Sequence, residues 1–211
     1  MTKLNIEMVN DLVCSWCPIS YRNIQIAIIN LAIDVDFSFL PFEINPHMPS
    51  TGQSIDDYFL HHLNWSRQKL KGYKKSVVNT AKRAGVDINY TNRTMYFNTK
   101  NAHKLMLWAK QHNEHIAFYE VLMEAYFSQG ADISDVEVLT KLVQQTSLDS
   151  TQVNDILLMP QFENQFKIAK QRASTLAVDS VPAFFINKVA LASNIQSVVG
   201  FEKALIDALN N

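Results

Sequence analysis

The sequence predicts an α/β protein in which a βαβ unit opens the chain, a ββα unit closes it, and a large all-α block is inserted between them. Three observations carry that expectation. Near both ends apolar residues alternate with polar ones, the period-2 mark of strands. Through the middle of the chain they recur at helical spacing instead. The stretches are punctuated by capping and turn residues, with no internal repeat and no low-complexity linker.

Leu4, Ile6 and Met8 alternate with polar neighbours and mark the first strand. "ISYRNIQIAIINLAI" (19–33) spaces Ile24, Ile28 and Leu31 for a helix packed on a sheet, and "VDFSFLPF" (35–42) returns to alternation. "SIDD" (54–57) resembles a capping box and opens a long helical pattern, with one break expected near Gly72. Further helices are expected over 98–112, 114–130, 134–148 and 161–177, the third of them capped by Ser134 with Glu137. "SVPAFFIN" (180–187) is a β-branched and aromatic run, "KVALAS" (188–193) can pair with it as a hairpin, and 197–211 closes as a helix. The chain thus divides into a frame, residues 1–48 plus 178–211, and a helical insertion, residues 49–177.

Size and charge exclude several classes of function. At 211 residues the chain suits one large domain or one domain carrying an insertion. A formal charge of −1 leaves no footprint for nucleic acid, so the basic run "RQKLKGYKK" (67–75) is taken as a solvated helix face. Neither a signal peptide nor an apolar run of membrane-spanning length is present, so the expected location is the cytoplasm, away from membranes. The sequons at Asn89 and Asn92 are then expected to stay unmodified.

Cys14 and Cys17 are the only cysteines, and they fall where the first strand meets the first helix. A structural zinc site needs four ligands; no second CxxC exists, and His112 with His115 is the only helical-spaced histidine pair, so no metal is expected. A dithiol site explains more, because CxxC beside a βαβ pattern marks a thioredoxin-like redox motif. At a helix start, unpaired N–H groups and the helix dipole favour a thiolate over a thiol. Cys14 is therefore the expected nucleophile, and Cys17, one turn on, the thiol that resolves a mixed disulfide. Pro182, ahead of a late strand, fits a cis-proline facing the dithiol.

With these residues in place, the sequence resembles the DsbA family of thioredoxin-like proteins, in particular its FrnE-like subgroup. The resemblance rests on "NDLVCSWC", "LPFEINPHMP", "NTKNAHKL", "AYFSQGADISD" and "SVPAFFIN", which run in order along nearly the whole chain. It implies a thioredoxin fold with a helical insertion and dithiol–disulfide exchange on a protein-disulfide or small-thiol partner. No bound cofactor is implied beyond a redox-active Cys14–Cys17 disulfide, with glutathione as a candidate co-substrate. By position Cys14 is the nucleophile, Cys17 the resolving thiol and Pro182 the cis-proline, with Trp16 and Val181 as substrate-binding neighbours. Oligomeric state is not implied.

The sequence also departs from that pattern. Ser15 stands where the subgroup has proline, and neither Ser15 nor Trp16 carries charge, which predicts a less acidic Cys14 and a lower potential than in DsbA itself. Pro18 follows the motif directly, Ser180 replaces a glycine, and "SNIQ" (193–196) departs from the subgroup's segment there. Met8 occupies the position of the buried acid that often handles the resolving cysteine's proton. Asp11 is the nearest substitute and Glu43 a second candidate; a helix-entry or turn role for Asp11, and a loop contact or buried hydrogen-bond partner for Glu43, are the alternatives. Two other functions remain open: a glutathione-dependent isomerase or transferase of aromatic substrates, and a redox-sensing, chaperone-like binder.

Overall fold

The computed structural model describes residues 3–49 and 51–210. Residues 1, 2, 50 and 211, which the expected frame, insertion and final helix included, lie outside the described residues. Strand β1 (Leu4–Asn10) pairs in parallel with β2 (Val35–Pro41), with Leu4 opposite Val35 and Met8 opposite Phe39. A parallel pair needs a crossover, and α1 (Trp16–Leu31) supplies it.

The insertion holds β3 (Gln53–Ser54), α2 (Ile55–Asp57), α3 (Arg67–Arg83), β4 (Met95–Tyr96), α4 (Lys100–Gln111), α5 (His115–Met123), α6 (Val136–Val143), α7 (Val153–Leu158) and α8 (Pro160–Thr175), with shorter helical turns at Tyr58–His62, Glu124–Ser128 and Ser150–Gln152. β5 (Ala183–Ile186), β6 (Val189–Ala190) and α9 (Val198–Leu209) close the chain. β5 lies antiparallel on the other side of β1, giving a four-stranded sheet in the order β2-β1-β5-β6. This is a thioredoxin-like frame with a helical insertion between β2 and β5.

One face of the sheet is covered by α1 and α9, the latter bringing Phe201 edge-on to Phe184 at 4.9 Å. α8 lies against β2 on the other side, where Ala173 packs with Val9, Leu40 and Phe185. Arg172 of α8 donates to the nearly buried Glu7 of β1 at 2.6 Å, fixing the insertion to the frame. The apolar core is continuous between them: Phe39 of β2 stacks on Tyr119 of α5 at 4.2 Å, with Tyr21 of α1 against both.

Several boundaries differ from the sequence expectation. α1 begins at Trp16 and takes in Cys17 and Pro18, because the third helical position has no intrahelical N–H bond for proline to lose. The break in the long helical pattern falls at residues 63–66. There Asn64 adopts a left-handed conformation (φ 54°), and the Ser66 hydroxyl caps α3 by accepting from the Lys69 N–H. Gly72 sits inside α3, with no neighbour within 4 Å of where its Cβ would be. α6 is capped by Asp135 and not Ser134, whose hydroxyl instead donates to Asp132. The insertion is not wholly helical either, since β3 and β4 form a two-stranded ladder. Two residues per strand are too few for alternation to register.

Candidate functional site

The main chain turns sharply between β1 and α1. The Cys14 N–H donates to the Asp11 carbonyl and the Cys17 N–H to the Cys14 carbonyl, each at 3.1 Å. Ser15, at the N-cap position, makes no capping bond to the helix, because its hydroxyl is directed towards Tyr90 and Arg93. The N–H groups of Trp16 and Cys17, at the start of α1, also act on the sulfur of Cys14. Cys14 retains 6% exposure and Cys17 none, and both are free thiols.

The two thiols are driven in opposite directions. Cys14 is held below its ordinary value, first by a hydrogen bond from the Cys17 thiol. Burial opposes this, the N–H groups of Trp16 and Cys17 add to it, and the charge of Asp11 works against it. Cys17 is pushed well above its ordinary value, first by burial and then by Cys14. The pair is therefore asymmetric, with the proton leaving Cys14 more easily than Cys17.

β5 brings the far end of the chain to the same place. The Cys14 thiol donates to the Val181 carbonyl at 3.5 Å, and the Val181–Pro182 peptide bond is cis. Val181, Pro182 and Trp16 are half-buried around the dithiol, Trp16 lying edge-on to Tyr73 of α3 at 6.5 Å. Asp11 is buried: its Oδ2 accepts from the Ile44 N–H at 2.7 Å and its Oδ1 lies 3.7 Å from Nε2 of buried His103. Oδ1 has no hydrogen-bond partner. Glu43 is directed elsewhere, its carboxylate accepting from Lys170 of α8.

Sequence reasoning missed Arg93. This fully buried side chain donates through Nη2 to the Val13 carbonyl at 2.7 Å and through Nη1 to the Ser15 hydroxyl at 3.0 Å, gripping the residues on either side of Cys14. Tyr90, Tyr96, Tyr126 and Phe127 surround the guanidinium with ring centres 4.6–5.4 Å away. The turn that delivers it is built by Asn89, whose carbonyl accepts from the Arg93 N–H at 2.8 Å. In the sequence Arg93 was visible only as the middle of a glycosylation sequon. The surrounding tyrosines, spread over residues 90–126, give it no local signal.

Comparison with known proteins identifies the fold and the family. The family model described as DSBA-like thioredoxin domain matches residues 5–205. The Bacillus subtilis (strain 168) protein YwbO is 25% identical over 205 residues, covering 97% of this chain and 96% of its own. The crystal structure of a probable DsbA oxidoreductase, SCO1869 from Streptomyces coelicolor, superposes with a TM-score of 0.90 at 20% identity, over 99% of this chain and 91% of that one. The cytosolic disulfide reductase DsbM from Pseudomonas aeruginosa, solved with GSH, has the same fold, with a TM-score of 0.69 at 12% identity over 98% of this chain and all of its own. With a match running from β1 into α9 and a CxxC pair at the start of α1, the chain belongs to the DSBA-like thioredoxin domain family.

Proposed function

We propose that this protein is a thiol–disulfide oxidoreductase working through Cys14 and Cys17. The observation that carries the reading is the division of labour between the two sulfurs. Cys14 stands at the helix start beside Val181 and Pro182 with its thiolate favoured, and Cys17 lies buried against it with its proton retained. The Cys14 thiolate attacks one sulfur of a substrate disulfide; that bond breaks, and the departing sulfur leaves as a thiolate that takes a proton. Cys17 then gives up its proton and attacks the Cys14 sulfur, closing the Cys14–Cys17 disulfide and releasing the second substrate thiol. The substrate gains two electrons and the dithiol loses two; run backwards, the same steps oxidise a dithiol.

Asp11 is the candidate acceptor for the Cys17 proton. It is buried, it acts on both thiols, and its Oδ1 is unpartnered. Lys170 already engages Glu43, so Glu43 is assigned to docking α8 on the frame. Trp16 and Val181 would contact the substrate, which is a protein disulfide or a small thiol partner. A cytoplasmic setting with glutathione as a reductant completes the proposal, in keeping with a fold that also serves a cytosolic disulfide reductase solved with GSH. No described helix is long and apolar enough to cross a membrane.

Insulin reduction by dithiothreitol is the test. The wild type should accelerate it, Cys14→Ala should fall to the uncatalysed background, and Cys17→Ala should lose turnover. Full activity in Cys14→Ala would reject the proposal.

A further inference from the structure

One flank of the dithiol is strongly cationic. The α3 stretch "RQKLKGYKK" (67–75) carries five Lys and Arg, and the helix contains no acid. The whole chain is at −1, so this charge stands out against a net negative remainder. This face of α3 is solvent-exposed, as the sequence predicts, and it also borders the neighbours of the dithiol. Both residues between the cysteines lead to it through aromatic rings. Trp16 meets Tyr73, Tyr73 meets Trp65 at 5.5 Å, and Lys69 lies 4.1 Å over the Trp65 ring. Ser15 meets the Tyr90 hydroxyl at 3.1 Å, and Lys74 lies 5.1 Å over the Tyr90 ring.

Lys74 is partly neutralised by Asp56. Lys69, Lys71 and Lys75 are exposed and, among the described residues, in no ion pair. The half-buried rings offer flat apolar contacts to an extended peptide without regard to its sequence, so the cations decide the sign of what docks.

We propose that this aromatic and cationic rim makes the protein selective for peptide disulfides flanked by acidic side chains. The inference rests on the oxidoreductase reading and adds a substrate class to it. Field lines from clustered like charges raise the encounter rate of an oppositely charged partner, and salt removes the effect.

The test uses two synthetic cystine peptides that differ only in carrying glutamate or lysine beside the disulfide. Their kcat/KM values are measured at about 0.02 M and about 0.5 M salt, where the screening length falls from roughly 20 Å to roughly 4 Å. The glutamate peptide should be reduced on the order of tenfold faster at low salt, with the gap closing at high salt. The triple variant Lys69→Glu, Lys71→Glu, Lys75→Glu should abolish or reverse the preference. It is suited to folding, because Lys69→Glu completes a capping box with Ser66 at the start of α3. Equal rates in the wild type, or a preference for the lysine peptide, would overturn the inference while leaving the oxidoreductase reading intact. No turnover of either peptide would overturn both.

Discussion

At the scale of single residues the site depends on the side chains that hold the turn on either side of Cys14. The Ser15–Trp16 dipeptide is uncharged, yet a cation is present: Arg93 reaches in from the insertion and holds both Val13 and Ser15. Lysine cannot span two acceptors as a guanidinium fork does. Arg93→Lys should therefore lower stability by about 1.5–3 kcal/mol, read from urea unfolding, and slow turnover as the 13–15 turn loosens. The thiols make a second prediction. Alkylation proceeds through the thiolate, so its rate rises with pH and levels off above the pKa. Because Cys14 is held low and Cys17 high, iodoacetamide should label Cys14 selectively near neutrality, reaching its plateau at lower pH than a free thiol. Peptide mapping that found both cysteines labelled together, at an ordinary thiol's pH, would refute this.

At the scale of elements the turn carrying Arg93 is held from the other side by Gly130, which ends the helical turn after α5 with φ 74°. A Cβ there would overlap the Asn92 carbonyl and press within 3.0 Å of the Arg93 nitrogen. Gly130→Ala should cost at least about 2 kcal/mol in a denaturant titration, from the left-handed backbone and the overlap together, and should lower activity through Arg93. The elements were legible in the sequence to different degrees. β1, α1 and β2 were readable because their periods are long and pure, and the dithiol because CxxC at a strand-to-helix junction has few other uses. Pro182 could be placed from the β-rich run that follows it. The β3–β4 ladder and α7 were not readable, being too short to show a period. Arg93 escaped because its purpose lies in partners far away in sequence, and the Lys170 that engages Glu43 is likewise far away in sequence. Gly72 looked like a break because glycine usually interrupts a helix, but Asn64 and Ser66 supply a better one nearby.

At the scale of the whole molecule, frame and insertion share one core rich in buried tyrosine, and that gives stability an alkaline limit. Burial raises the hydroxyls of Tyr21, Tyr96 and Tyr119, and pushes those of Tyr73 and Tyr126 up to about 12. Above about pH 10 the unfolded chain loses these protons while the folded one keeps them, so the folded state binds more protons and stability must fall as pH rises. Cys17 adds the same sign from about pH 9. Urea midpoints should therefore drop progressively between about pH 9 and about pH 11; a flat profile would show that these groups titrate alike in both states. The same shared core fixes α3 and Arg93 against the dithiol, so the insertion belongs to the site as much as the frame does. Everything proposed for that site requires Cys14 to form the covalent bond to substrate and Cys17 to break it. The direct measurement is mass spectrometry of Cys17→Ala after brief exposure to a cystine peptide. The expected result is a stable adduct of one half-peptide on Cys14, absent from the wild type, which closes its own disulfide instead, and from Cys14→Ala. A Cys17→Ala protein that stays unmodified, or a wild type that never forms the Cys14–Cys17 bond, would contradict it.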